Sequence, residues 1–163
     1  FLKKRLDAKE KQGTQKGVVA FSGLMFIVGF VVAGLDFRFG WSHMPAWVTI
    51  IASVLFLVAY ALYAEVLREN VWLSRTVEVQ ENQKVVDTGL YGIVRHPMYS
   101  ATLLLFLSMP LVLGSLYAFL IFLIYPFIIA KRIRHEESFL KKELPGYAEY
   151  TQKVKYRMIP FIW

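Results

Sequence analysis

Arg95 and His96 stand directly before Pro97, and 33 residues then pass, Met98 to Ala130, without one Lys, Arg, Asp, Glu or His. Charge returns as a cluster: Lys131, Arg132, Arg134, His135, Glu136 and Glu137. Such residues bind anions, hold cations or move protons. Proline is favoured at the first position of a helix, where its missing N–H costs nothing. A helix entered at Pro97 leaves the N–H groups of Met98, Tyr99 and Ser100 without intrahelical acceptors. With the helix dipole and Arg95, those donors are expected to form an anion site, in which His96 at the cap position can donate or accept. The competing reading is that Arg95 snorkels to lipid phosphate and His96 only caps the helix. In the second cluster Arg132 and Glu136 are four apart and share a helix face. That spacing suits a solvated ion pair or a pair turned toward a ligand.

The two clusters can act together only if the chain between them doubles back. As one helix the 33-residue run would reach about 50 Å, well beyond a bilayer's hydrocarbon core. Gly114-Ser115 lies at its middle and marks a tight turn. The expectation is a helical hairpin, Pro97 to Leu113 and Leu116 to about Lys131, whose open end carries both clusters.

With 56% hydrophobic and 16% aromatic residues and a mean hydropathy of +0.45, the 163-residue chain is too apolar for a soluble domain. Gly17 to Leu35 and Ala46 to Ala64 are uncharged runs of 19 residues, each about 28 Å long as a helix. The first lacks a small-residue cleavage site and reads as an anchor. The expected fold is all-α and integral to the membrane, with four transmembrane helices. Residues 1–65 supply two spans. Residues 66–163 supply a loop, the hairpin and C-terminal helices that form the site. Segments 1–16, 65–98 and 131–163 carry 18 of the 19 Lys and Arg, whereas the loop from Asp36 to Pro45 carries only Arg38. By the positive-inside rule, both termini and the site are expected on the cytoplasmic side of the cell inner membrane.

Several functions are excluded or disfavoured. There is no cysteine, hence no disulfide, thiolate ligand or cysteine nucleophile. His43 and His135 lack close companions, so no metal is expected. The net charge of +7 is largely topological and comes without a stacking platform, so membrane lipids rather than nucleic acid are the expected electrostatic partner. Trp41, Trp47, Trp72 and Trp163 read as interfacial anchors, and Gly23, Gly29 and Gly34 as sites of close helix packing. Leu144-Pro145-Gly146 should end the exit helix, and Tyr147, Tyr150 and Val154 suggest one more short helix packed on the site.

The stretch QKVVDTGLYGIVRHPMYSA, followed after the hairpin by RIRHEESFLKKELPGYAEYTQKVKYRMIPFIW, resembles the isoprenylcysteine carboxyl methyltransferase family. That branch of small membrane methyltransferases also includes phospholipid N-methyltransferases. The likeness runs from about Asn70 to Trp163, and Leu90 stands where many relatives carry proline. It implies methyl transfer from S-adenosylmethionine to a membrane-associated or lipophilic acceptor. Cofactor contacts are implied for Gln83, Lys84, Val85, Val86, Tyr91, His96, Pro97, Met98 and Tyr99. Substrate-side catalytic roles fall on Arg132 and Glu136, with Glu137 adjacent. On chemical grounds Arg95 or His96 suits the cofactor's carboxylate, and Glu136 or Glu137 its ammonium or an amine acceptor. Two alternatives stand beside this: an NADPH-dependent membrane reductase of the sterol type, which carries a similar RHP region, and a non-catalytic membrane module.

Overall fold

The computed structural model describes residues 2–74 and 77–163, and of residues 2–12 and 14 the backbone only. Lys3, Lys4, Arg5, Lys9, Lys11 and Arg75, which carry part of the charge asymmetry, therefore lie outside the described side chains. Among the described residues every regular element is helical: α1 (Leu2–Phe39), α2 (Ala46–Glu69), α3 (Pro97–Val112), α4 (Leu116–Phe122), α5 (Tyr125–Glu143) and α6 (Tyr147–Lys153), with a 3-10 turn at Gly89–Gly92. Three stretches are long and apolar enough to cross a membrane: Gln15–Phe39, Ala46–Glu69 and Leu116–Glu143. The 16 residues of α3 are apolar but shorter, about 24 Å end to end. Only 17% of the apolar window of α1, and the same share of α2, is buried inside the protein. The rest points outward, as Ile27, Ile50 and Leu57 do, which is the arrangement an apolar solvent demands.

Helix α2 packs along α3. Its buried stripe is Ala52, Ala59 and Val66, and the buried positions of α3 include Ala101, Thr102 and Ser108. Small side chains let two helices approach closely. Of the three glycines expected to do the same in α1, only Gly29 does so. A Cβ there would lie 2.3 Å from Cε2 of Phe122, whereas at Gly23 and Gly34 it would meet nothing within 4 Å. The ring of Phe122 fills the space over Gly29, with Phe26 edge-on to both Phe106 and Phe122 at 4.7 and 5.4 Å.

The hairpin turns where expected, at Gly114, whose φ of +75° is the left-handed conformation glycine adopts freely. Its second limb is not one helix. It breaks at Leu123-Ile124 between α4 and α5, because Pro126 has no N–H to donate and its ring clashes with the carbonyl of Phe122. The reading of a continuous helix from Leu116 to Lys131 is corrected accordingly.

A buried carboxylate secures the closed end of the hairpin. Asp36, 2% exposed in the last turn of α1, accepts from the N–H and hydroxyl of Ser42, both at 2.6 Å, and from the hydroxyl of Ser115. Ser115 caps α4 by accepting from the N–H of Ala118 at 3.1 Å. Asp36 counted in the sequence only as the start of a loop. In the fold it ties α1 to the hairpin turn. From there a core of Met25, Phe122, Tyr125, Ile129 and Ile133 continues to Tyr99 and Met158 at the open end.

Candidate functional site

The open end brings the two charged clusters together, and Glu137 is their centre. Its carboxylate, 3% exposed, accepts from Arg95 Nε at 2.6 Å and Arg157 Nε at 2.9 Å. His96 Nε2 lies 3.2 Å from the same carboxylate. An ionised carboxylate only accepts, so this nitrogen carries the proton. Arg95 also donates through Nη1 to the carbonyls of Val154 and Lys155, at 2.8 and 2.9 Å. Its backbone N–H, and that of His96, bond to the carbonyls of Tyr156 and Arg157 at 2.9 and 2.7 Å. The Arg-His pair thus clamps the segment after α6 over the end of the hairpin. A buried pair of this kind is tolerated because Glu137 accepts from several donors and Arg95 makes two further hydrogen bonds to backbone carbonyls.

Two of the three N–H groups expected to hold an anion are occupied, and so is the guanidinium beside them. The N–H groups of Tyr99 and Ser100 are taken by the carbonyl of His96, at 3.0 and 3.2 Å, and the Arg95 guanidinium is held by Glu137 and two backbone carbonyls. His96 sits at the N-cap of α3 without a side-chain capping bond. The arginine does not snorkel, and the histidine holds the cap position without capping through its side chain.

Beside this clamp lies a cleft holding about 790 Å³ of atom-free space, its solvent-facing mouth included. Gln83, Lys84, Val85, Val86, Tyr91, Arg95, His96, Met98, Tyr99 and Glu136 all line it. Pro97, Arg132 and Glu137 are not among its lining residues. Pro97 opens α3, Glu137 faces the clamp, and Arg132 places its guanidinium carbon 5.8 Å from the centre of the Tyr99 ring. Glu136 is the carboxylate turned to the cleft. Its Oε2 accepts from the Tyr99 hydroxyl at 2.7 Å, and its Oε1 lies 4.0 Å from His96 Nδ1. Adjacent residues on a helix point about 100° apart, which is why the two glutamates divide in this way.

The wall opposite is built by the end of α2 and the segment after it. Glu69 accepts from the Leu90 N–H at 3.0 Å, across Gly89. Asn70 donates to the Tyr91 hydroxyl at 2.9 Å. Gln83 accepts from the Gln80 N–H at 2.8 Å, and the Gln80 side chain donates to the Trp72 carbonyl at 3.1 Å. The floor comes from α6. Tyr150 donates to the Tyr91 carbonyl at 2.6 Å, and Tyr147 packs beside it with ring centres 5.6 Å apart. Burial pushes the Tyr91 phenol up to about 12 and raises those of Tyr147 and Tyr150 as well. The Tyr147 hydroxyl finds no hydrogen-bond partner among the described residues.

Sequence reasoning missed Asn70, Trp72, Leu140, Tyr147 and Tyr150 as lining residues, and Arg157 as a partner of Glu137. Trp72, read as a membrane anchor, faces the cleft. The short helix expected from Tyr147, Tyr150 and Val154 is present and buries all three. The available signal was their proximity to the exit helix, which indicated packing but not a ligand wall.

Curated proteins similar to the chain include the following two. The cobalt-zinc-cadmium resistance protein CzcN of Cupriavidus metallidurans is 31% identical over 133 residues, 78% of this chain and 57% of its own length. The Delta(14)-sterol reductase TM7SF2 of Mus musculus is 30% identical over 91 residues, 54% of this chain and 22% of its own length. The chain therefore spans little more than half of the first and under a quarter of the second. The family model described as phospholipid methyltransferase matches residues 41–145, from the loop before α2 through the hairpin to just past the end of α5. The chain belongs to the phospholipid methyltransferase family.

Proposed function

We propose that this chain transfers a methyl group from S-adenosylmethionine to a membrane-borne or lipophilic acceptor, as a four-span protein whose cleft opens on the cytoplasmic face of the inner membrane. The observation that carries the reading is the position of Glu136, a carboxylate turned into a tyrosine-walled cleft at the open end of a membrane hairpin. The fit follows from the donor set. A cationic ligand is stabilised by one carboxylate and by aromatic faces, which Glu136, Tyr91 and Tyr99 supply together. When bound, the cofactor supplies an electrophilic methyl on a sulfonium.

The chain's residues then orient and exclude water. Gln83, Lys84, Val85 and Val86 form one wall, Tyr91, His96, Met98 and Tyr99 another, and alignment of donor and acceptor supplies most of the rate in such a displacement. Glu136 is placed to receive the proton of an amine acceptor. Arg132 orients a carboxylate acceptor, or acts through Tyr99, whose ring it lies over and whose hydroxyl donates to Glu136. Pro97 sets the start of α3, and Glu137 with Arg95 fixes the backbone around the site.

The similarity to a sterol reductase supports a second reading, an NADPH-binding site. The Arg95 guanidinium lining this cleft is already bound to Glu137 and two carbonyls, which leaves Lys84 as the cation in the wall for a 2′-phosphate. The first reading is preferred because the methyltransferase family model matches residues 41–145, whereas the reductase match spans 54% of this chain and 22% of that protein. The test is calorimetric titration of detergent-purified protein with S-adenosylmethionine and, in parallel, NADPH, followed by labelled-methyl transfer to membrane lipid extract. Saturable binding of the first alone, with transfer lost in Glu136→Gln, is the expected result. Binding of NADPH alone would move the chain to the reductases. Silence from both, in folded protein, would make it a non-catalytic module.

A further inference from the structure

We propose that Tyr147 is a cofactor-binding residue whose hydroxyl donates to a neutral acceptor atom on the nucleoside part of the ligand, a role that rests on the methyl-donor reading above. Tyr147 is 5% exposed and belongs to a tight cluster with Leu144, Tyr150 and Val154, against which Val85 and Leu140 pack. The cluster fixes the ring, and the residue lines the cleft. The other three tyrosine hydroxyls in the cleft wall are satisfied: Tyr91 by Asn70, Tyr99 by Glu136 and Tyr150 by the Tyr91 carbonyl. Tyr147 alone among these four has a buried hydroxyl with no partner among the described residues.

Burying a hydroxyl without a partner costs free energy, and phenylalanine would fill the same space without that cost. A ligand that meets the hydroxyl removes the penalty only when it binds. The surroundings select its chemistry. Glu136 and Glu137 both act on the Tyr147 phenol in the sense that disfavours negative charge, while Arg95 opposes them. An anionic group is therefore poorly placed here, and a cationic one is a poor hydrogen-bond acceptor. A neutral hydroxyl or ring nitrogen remains, and the apolar side chains of Val85, Leu140 and Leu144 beside it suit the flat, weakly polar body of a nucleoside.

Tyr147→Phe tests this with two readouts that a structural role would move in the same direction. In ligand-free protein the melting temperature should stay level or rise, because an unsatisfied group has been removed. The affinity for S-adenosylhomocysteine, by calorimetry, should fall about 3- to 10-fold, and that for adenosine by the same factor. A lower melting temperature makes the hydroxyl structural and overturns the proposal. Unchanged affinity, where wild-type protein binds, overturns it while leaving the cofactor reading intact. Loss confined to S-adenosylhomocysteine overturns the nucleoside assignment. Failure of wild-type protein to bind either probe overturns the cofactor reading and this inference with it.

Discussion

Glu137→Gln isolates the clamp from the chemistry, because the substitution keeps the shape of the side chain and removes its charge. The side chains of Arg95 and Glu137 are 6% and 5% exposed, so the change strands a buried guanidinium, which costs about 3–5 kcal/mol. Arg157 is 34% exposed on its side chain and adds under about 1 kcal/mol. Arg95 keeps the carbonyls of Val154 and Lys155, and a glutamine oxygen still accepts one bond, which favours the lower end, about 3 kcal/mol. Those two carbonyls belong to the segment after α6, so the cost falls first on its attachment. Its open form should rise about 100-fold in population, and tryptic cleavage after Lys155 and Arg157 should accelerate nearly as much when opening is fast. The assay is limited proteolysis with mass detection of the released fragment. Glu136→Gln is the control, since Glu136 faces the cleft and the clamp lacks it. Cleavage of Glu137→Gln within about threefold of wild type would correspond to well under 1 kcal/mol and would refute the clamp.

Gly89→Ala should loosen the cleft from the α2 side. The residue has φ +54°, and a Cβ would lie 1.5 Å from the Glu69 carboxylate, so Glu69 must release the Leu90 N–H. A loss of about 2–4 kcal/mol is expected, read as a lower melting temperature together with weaker ligand binding. The alkaline limit follows from the buried phenols. Tyr91 is raised to about 12 from an unfolded value of about 10. Its contribution is complete below pH 10 and lost as pH rises through 12, about 2–3 kcal/mol for that residue. Tyr147 and Tyr150 shift in the same direction. Ultraviolet titration should show these phenols ionising only as the protein unfolds. Normal ionisation near pH 10 in folded protein would contradict their burial.

The sequence by itself determined the class of protein, the apolar helices, the hairpin turn at Gly114, the helix start at Pro97 and the short helix after Gly146. Each is a local matter: an uncharged run long enough for a bilayer, a residue free to take positive φ, a proline with no donor to lose. The break at Leu123-Ile124 was also legible, since Pro126 announces it. Tertiary structure decided the roles of the charged residues. Arg95 next to a helix start reads locally as an anion binder, but its partners lie 42 and 59 positions away, at Glu137 and Val154. Asp36 is similar, for its partner Ser115 is 79 residues distant. Glu136 and Glu137 are indistinguishable as neighbours in a string. Only the rotation of about 100° per helical residue, fixed in absolute direction by how α5 packs against α1 and α3, sends one carboxylate into the clamp and the other into the cleft.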